Sequence, residues 1–263
     1  MLVGTISFYF LTKEVIKDYL PTNIIPVIAA TFYLLNPYSM NQVWGRSLYM
    51  QFFPFALLPF FLLIIFLSLN RQKIIYSLIA LIGSYILSGA FSSPTYIISL
   101  WIIIFLYTIF HLQFIAKNIK SKLFTVFIVI FTLIHFIGIQ AWWILPYFSN
   151  NNVVGSTSAS YLNTENNIDV MRAVSGSSTL PNLIRLQHKG YFYEAAIYGD
   201  IYKTPLFQLL SWLLPILVLI GIFRFKKSKY FKFFFTLFLI TMFMALGANF
   251  PLGWLMVLIF KLM

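Results

Sequence analysis

The sequence contains no cysteine and little charge. Of its 263 residues, only 9% are Asp, Glu, Lys or Arg. Without thiols there can be no disulfide and no thiolate metal site, and the three histidines are not paired at ligand spacing, so we do not expect structural zinc. A soluble domain carries about 25% charged residues. This chain therefore has too little polar surface to fold as a water-soluble protein.

Acidic residues are especially few: there are six, against 18 Lys and Arg residues. None of the six lies within an apolar run. Ion-coupled transporters usually place a carboxylate in the membrane core, so this distribution argues against a proton or sodium carrier. The net charge of +12 does not indicate a nucleic-acid partner, because the breaks between apolar runs hold most of the basic residues. Membrane lipids are the expected partners there.

Long apolar runs dominate the sequence, and hydrophobic residues make up 60% of it. Several runs approach or exceed the ~20 residues that cross a ~30 Å hydrocarbon core. We therefore predict an all-α fold, a polytopic transmembrane helical bundle with about seven full spans. The predicted spans are 24–35, 51–69, 74–90, 95–116, 123–147, 205–223 and 231–247.

The apolar stretches at the two chain ends, 2–11 and 254–263, are shorter than a span. No basic residue precedes the first stretch and no small-residue cleavage site follows it, so it does not resemble a signal peptide. We expect a partial helix at each end and interpret the chain as part of a larger membrane protein. Short interfacial helices at both ends are the alternative.

Every second break between the apolar runs is basic. The basic residues of these breaks are Lys13 and Lys17; Arg71 and Lys73; Lys117, Lys120 and Lys122; and Arg224, Lys226, Lys227, Lys229 and Lys232. Because cytoplasmic loops carry an excess of Lys and Arg, we predict a cell-membrane protein with these breaks in the cytoplasm. Residues 1–148 and 204–263 then form one membrane domain, and residues 149–203 form an extracytoplasmic region of short helices.

The extracytoplasmic region holds most of the side chains that could carry chemistry. We predict short helices at 167–174 and 178–186, the second with Pro181 in its first turn. Arg185 could bind a lipid phosphate by a bidentate contact, or it could simply extend to lipid headgroups. Arg172 and Arg46 are further phosphate candidates. Gly45 would let a phosphate approach the backbone beside Arg46, or Arg46 could be an interfacial anchor.

Four acids of the extracytoplasmic region are candidates for binding sugar hydroxyls or a divalent metal, although no ligand set stands out. They are Glu165, Asp169, Glu194 and Asp200. Within the apolar runs, His111, His135 and Gln140 are predicted to donate hydrogen bonds between helices rather than to bind a ligand. Ser84 and Ser88 have the small-xxx-small spacing that is typical of close helix packing.

No P-loop, Rossmann glycine pattern, metalloprotease helix or serine-hydrolase elbow is present. Five phrases instead follow one another along the chain: 29–38 (AATFYLLNPY), 45–59 (with GRS and then ALLP), 142–147 (WWILPY), 179–191 (TLPNLIRLQHKGY) and 244–254 (MALGANFPLGW). In this order they resemble phrases of the GT-C glycosyltransferase superfamily. The nearer resemblance is to its arabinofuranosyltransferase-like members and related uncharacterised polytopic membrane proteins.

The resemblance implies an enzyme that takes a sugar from a polyprenyl-phosphate donor at the outer membrane face, with inversion at the anomeric carbon. A carboxylate would deprotonate the acceptor hydroxyl while basic groups or a metal stabilise the departing phosphate. In this chain the phosphate role would fall to Arg46, Arg185 or Arg172.

The catalytic acid of GT-C enzymes usually lies in their first outer loop, but the outer stretch 38–50 of this chain contains no acid. The resemblance therefore implies that the catalytic carboxylate is absent from this chain or that the chain is not active alone, and the identity of the carboxylate is unknown. A transporter or lipid-translocation component and a non-catalytic membrane subunit are the alternative functions.

Overall fold

The computed structural model describes residues 1–20, 22–36, 39, 49–91, 94–149, 172, 175–176, 178–186, 200, 203–249 and 252–262. All regular structure in these residues is helical, which confirms the predicted all-α class. The chain divides into two compact units. Unit 1 comprises Met1–Val43 and Leu48–Phe148, and unit 2 comprises Trp44–Ser47 and Ser149–Met263.

The described α-helices of unit 1 are α1 (Leu2–Ile16), α2 (Ile24–Leu35), α3 (Tyr49–Arg71), α4 (Ile74–Ile86), α5 (Pro94–Phe114) and α6 (Ile119–Ser149). Those of unit 2 are α7 (Leu180–Ile184), α8 (Pro205–Leu210), α9 (Leu213–Phe225), α10 (Phe231–Leu246) and α11 (Gly253–Leu262). Each predicted span therefore contains a helix, but the helices differ in length.

Three stretches of the described chain are long and apolar enough to cross a membrane: Ile97–Phe114, Ile119–Pro146 and Pro205–Phe225. The apolar helices α2 and α4 have only 12 and 13 residues. At 1.5 Å per residue they extend about 18–20 Å, less than the ~30 Å of a hydrocarbon core. The helical membrane class is thus supported by three candidate spans.

Small residues let the first helices of unit 1 approach closely. A Cβ atom on Gly4 in α1 would overlap the backbone carbonyl of Ala56 in α3. The Tyr33 ring of α2 stacks on Phe8 of α1 and on Phe55 of α3, at centroid distances of 4.8 and 4.9 Å. The Tyr33 hydroxyl also donates to the Phe55 carbonyl. These contacts join α1, α2 and α3 into one packed group.

A different small residue brings α3 and α4 together. A Cβ atom on Gly83 would lie 2.8 Å from the Phe60 ring. Ser84 is fully buried beside it, but α4 ends at Ile86, and Ser88 begins a short 3₁₀ turn, Ser88–Phe91. The small-xxx-small spacing of Ser84 and Ser88 therefore does not form a helix-packing face, because the two serines do not lie on one helix.

Buried polar side chains connect α5 and α6 to their neighbours. His111, only 1% exposed, lies with its Nδ1 atom 3.1 Å from the Thr125 hydroxyl of α6. The Gln140 amide of α6 donates to the Ser84 carbonyl of α4 at 3.3 Å. The predicted interhelical role is thus confirmed for His111 and Gln140.

His135 does not behave as predicted. Its side chain is exposed on α6, and its Nδ1 atom lies 2.7 Å from the Phe131 carbonyl, one turn earlier in the same helix. The prediction of an interhelical bond is wrong for His135, because the ring lies on the outer face of α6 and satisfies its hydrogen bond locally.

The basic breaks of unit 1 meet at one end of the unit. Glu14, after the middle of α1, contacts Lys17 and lies 3.7 Å from Arg71 at the end of α3. Gln72 donates a hydrogen bond to the Ser121 hydroxyl at the start of α6. The breaks around residues 12–18, 70–73 and 117–122 therefore share one end, as their charge pattern predicts.

Candidate functional site

The short helix α7 lies within the predicted 178–186 helix and supports Arg185. Thr179 is its N-cap, with extended backbone angles, and its carbonyl accepts from the N–H groups of Asn182 and Leu183, both at 3.0 Å. Pro181 occupies the first turn, where a missing N–H costs nothing. The chain leaves the helix at Arg185, and Leu186 follows in a left-handed conformation with φ of 54°.

Three neutral oxygen atoms position the Arg185 guanidinium. Its Nε donates to the Pro181 carbonyl at 3.0 Å, and one terminal nitrogen donates to the Asn182 side chain at 3.2 Å. The other terminal nitrogen donates to the Gln208 side chain of α8 at 2.9 Å. The Trp212 ring lies under the guanidinium, 5.1 Å from its carbon to the ring centroid. The side chain is consequently half-buried and fixed from several directions.

The Arg185 guanidinium keeps hydrogen-bonding capacity. It carries five N–H donors, and three are used by the contacts with Pro181, Asn182 and Gln208. One donor remains on each terminal nitrogen, a pair that matches two oxygens of a phosphate or carboxylate. The partners of Arg185 are neutral oxygen atoms and the face of an aromatic ring. Within the part of the chain that the structure describes, no carboxylate therefore neutralises its positive charge.

Two partners of Arg185, Gln208 and Trp212, lie in α8 and at the joint between α8 and α9. Thr204 caps α8 by accepting from the Phe207 N–H at 3.4 Å, and Pro205 opens the helix. α8 ends at Leu210, so that Trp212 becomes the N-cap of α9. Gln208 and Trp212 are four residues apart across this joint, which brings both to Arg185.

A second cluster fastens the chain that precedes α7 to the end of α10. Ser175 accepts from the Ala248 N–H at 3.2 Å through its hydroxyl, and its carbonyl accepts from the Asn249 amide. The Ser178 N–H donates to the same Ser175 carbonyl at 2.8 Å. Gly247 ends α10 with φ of 55°, and a Cβ atom there would lie 2.8 Å from the Ser175 Cβ. The phrase 244–254 thus contacts the chain leading into α7.

The remaining candidates are placed less favourably or lie outside the described residues. Arg172 is exposed, and its carbonyl accepts from the Ser175 hydroxyl at 3.5 Å. Asp200 is fully exposed and lies 3.8 Å from Lys203. Four candidates, and the predicted helix 167–174 except for Arg172, lie outside the described residues: Arg46, Glu165, Asp169 and Glu194. Among the residues that the structure describes, no group of three or more His, Asp or Glu residues could hold a metal ion.

Sequence reasoning identified Arg185 but not most of its partners. Pro181 and Asn182 precede it by four and three residues, a spacing that can be recognised on a helix face. Gln208 and Trp212 are more than 20 residues away along the chain, and nothing in the sequence pairs two helices at this distance.

No family model, curated protein or solved structure matches this chain. The likeness to GT-C glycosyltransferases therefore rests on the five sequence phrases.

Proposed function

We propose that this chain is a seven-span membrane protein that binds the phosphate of a polyprenyl-phosphate-linked sugar at the outer membrane face, as part of a GT-C-like glycosyltransferase. The observation that carries the proposal is the Arg185 guanidinium, oriented by three neutral acceptors and Trp212 with two N–H donors remaining. It lies in the phrase 179–191, one of the five that resemble the GT-C superfamily.

In the proposed reaction Arg185 stabilises the negative charge that develops on the departing phosphate. A fixed donor needs no reorganisation at that moment, and losing one such donor typically costs about 10²–10³ in rate. The sugar hydroxyls or a divalent metal would be bound by Glu165, Asp169, Glu194 or Asp200. The general base would come from a carboxylate that the outer stretch 38–50 does not supply.

The proposed topology places the basic breaks in the cytoplasm and residues 149–203 outside the cell membrane. The meeting of three basic breaks at one end of unit 1 supports it. In this arrangement the shorter apolar helices α2, α3, α4 and α10 supply the remaining spans, and the bilayer thins locally around α2 and α4, which are shorter than its hydrocarbon core.

Single cysteines test the orientation, because the chain has no native cysteine that would react. Lys120→Cys and Lys203→Cys are treated with a membrane-impermeant maleimide in intact cells. We expect labelling at position 203 and none at position 120 until the membrane is permeabilised. The opposite pattern would show that the topology is inverted.

Sugar transfer is measured with the full-length protein in membranes and a panel of radiolabelled polyprenyl-phosphate sugars. We expect Arg185→Gln to lower donor binding and transfer by at least about tenfold. Donor binding and transfer by Arg185→Lys should lie between those of Arg185→Gln and the wild type, because lysine keeps the charge but loses the bidentate geometry. Arg224→Gln, which removes the same charge from a basic break, is the matched control and should leave both unchanged.

The same experiment separates the alternatives. Arg185-dependent donor binding without transfer would favour a lipid-translocation component or a non-catalytic subunit. If polyprenyl phosphate and phosphatidylglycerol compete equally well with the labelled donor for binding, Arg185 is an interfacial anchor for lipid headgroups. Wild-type binding and transfer by Arg185→Gln would refute the phosphate role.

A further inference from the structure

The turn between α5 and α6 connects two candidate membrane spans. Ile97–Phe114 and Ile119–Pro146 are both long and apolar enough to cross a membrane, and in a chain that crosses with both, the residues that connect them lie at the membrane surface. The N–H groups of Ile115 and Ala116 close α5 on the His111 carbonyl, at 3.0 and 2.8 Å. Asn118 then caps α6 by accepting from the Ser121 N–H at 2.8 Å. The turn is therefore short and well defined.

The turn between α3 and α4 lies beside it. Gln72 adopts a left-handed backbone conformation with φ of 52°, which costs an L-residue roughly 1 kcal/mol. Its side chain donates to the Ser121 hydroxyl of α6, and this contact helps to compensate the cost. Lys73 follows directly and is thereby placed near the first turn of α6.

Positive charge at this end of unit 1 exceeds what its acids neutralise. Glu14 contacts both Lys17 and Arg71. By contrast, Lys73, Lys120 and Lys122 are exposed. Within the described chain, none of these three lysines forms an ion pair. We refer to Lys73, Lys120 and Lys122 together as the lysine surface.

We infer that the lysine surface is a binding site for the headgroups of anionic phospholipids. Headgroup phosphates lie at the depth of the α5–α6 turn, and each Lys or Arg near an anionic leaflet contributes about 1 kcal/mol of attraction. Lys120 and Lys122 lie on either side of Ser121, and Lys73 follows Gln72, which bonds to Ser121. The three lysines therefore surround one contact between two breaks, which distinguishes this surface from scattered basic residues. The inference is independent of sugar transfer and of Arg185.

The test uses the purified full-length chain in a neutral detergent, titrated with short-chain phosphatidylglycerol and followed by native mass spectrometry. Lys73→Gln, Lys120→Gln and Lys122→Gln are combined in one variant. Its apparent Kd for phosphatidylglycerol should rise at least about tenfold, while binding of phosphatidylcholine stays unchanged. Raising the salt concentration should weaken wild-type binding, since exposed charges are screened.

The matched control combines Arg224→Gln, Lys226→Gln and Lys227→Gln, which removes the same charge from another basic break. Its apparent Kd should change less than about twofold if the lysine surface is a distinct site. An equal loss in both triple variants would mean that net charge alone attracts the lipid and would overturn the inference. Unchanged binding in the first variant would also overturn it.

A variant that keeps all three lysines and should bind the lipid more tightly provides a second test. Glu14→Gln releases Lys17 and Arg71 from their carboxylate and should lower the apparent Kd for phosphatidylglycerol about fivefold. An unchanged Kd in this variant would contradict a charge-driven site at this end. The triple Lys→Arg variant at positions 73, 120 and 122 should bind as the wild type does.

Discussion

The side-chain amide of Gln140 in α6 donates to the backbone carbonyl of Ser84 in α4 at 3.3 Å, and both residues are fully buried. The Gln140 side-chain oxygen in turn accepts from the Trp143 indole at 3.1 Å. One polar side chain is thus satisfied at both ends within an apolar bundle, and it joins two helices that are far apart in sequence.

Gln140→Leu should destabilise unit 1 because it removes both hydrogen bonds from the bundle interior. Interhelical bonds of this kind contribute about 1 kcal/mol in membranes, so a measurable fall in thermal stability in detergent is expected. His135→Leu is the control, since His135 is exposed on the same helix and forms its hydrogen bond with the Phe131 carbonyl of that helix. Equal effects of the two substitutions would contradict the interhelical role of Gln140.

Thr125→Val should weaken the contact between α5 and α6. It keeps the side-chain volume close to that of threonine but removes the hydroxyl 3.1 Å from the buried His111 ring. A cost of about 1 kcal/mol is expected in the free energy of unfolding. Thr132→Val provides the comparison, because Thr132 is also buried on α6 but its hydroxyl donates to the Ile128 carbonyl of its own helix. The prediction fails if Thr132→Val is as destabilising.

Gly4→Ala should separate α1 from α3, because the new methyl group would overlap the Ala56 carbonyl. Overpacking of this kind typically costs about 1–3 kcal/mol. Gly138→Ala should instead be neutral or stabilising by up to about 1 kcal/mol, since Gly138 is helical and has open space around it. Both can be measured as denaturation midpoints in the same detergent, where the two substitutions should shift the midpoint in opposite directions.

Gly247→Ala should disturb the end of α10 and the chain leading to α7. Its angles, φ of 55° and ψ of −125°, are unfavourable for a residue with a Cβ atom, and that atom would also crowd Ser175. We expect faster hydrogen exchange at 178–186. Gly221→Ala, where nothing lies within 4 Å of the added atom, should leave exchange there unchanged. Unaltered exchange in the Gly247 variant would show that the Ser175 cluster does not position α7.

The helices themselves could be predicted well from hydrophobic runs and breaker residues. The predicted span 24–35 coincides with α2, and Pro181 and Thr179 mark the start of the short helix that carries Arg185. Apolar composition did not fix helix length, because α4 ends at Ile86 and the chain continues as a 3₁₀ turn. Whether a polar residue in an apolar run faces a neighbouring helix was also unpredictable, as the contrast between His111 and His135 shows.

The candidate site was only partly predictable for a similar reason. The sequence alone places Arg185 near the end of the predicted helix 178–186, but Gln208 and Trp212 reach it from α8 and the joint that follows. Such pairings depend on how helices pack in three dimensions. Local periodicity has no information on this packing.

The contacts of unit 1 also imply an order of assembly during synthesis. Glu14 and Gly4 find their partners Arg71 and Ala56 once α3 has been synthesised. Gln72 has no Ser121 to bond until α6 has begun to leave the ribosome. The first three helices can therefore associate early, whereas the α3–α4 turn reaches its final conformation only after some 50 further residues have been made. A ribosome stalled before residue 121 should expose a nascent chain whose first helices are already packed.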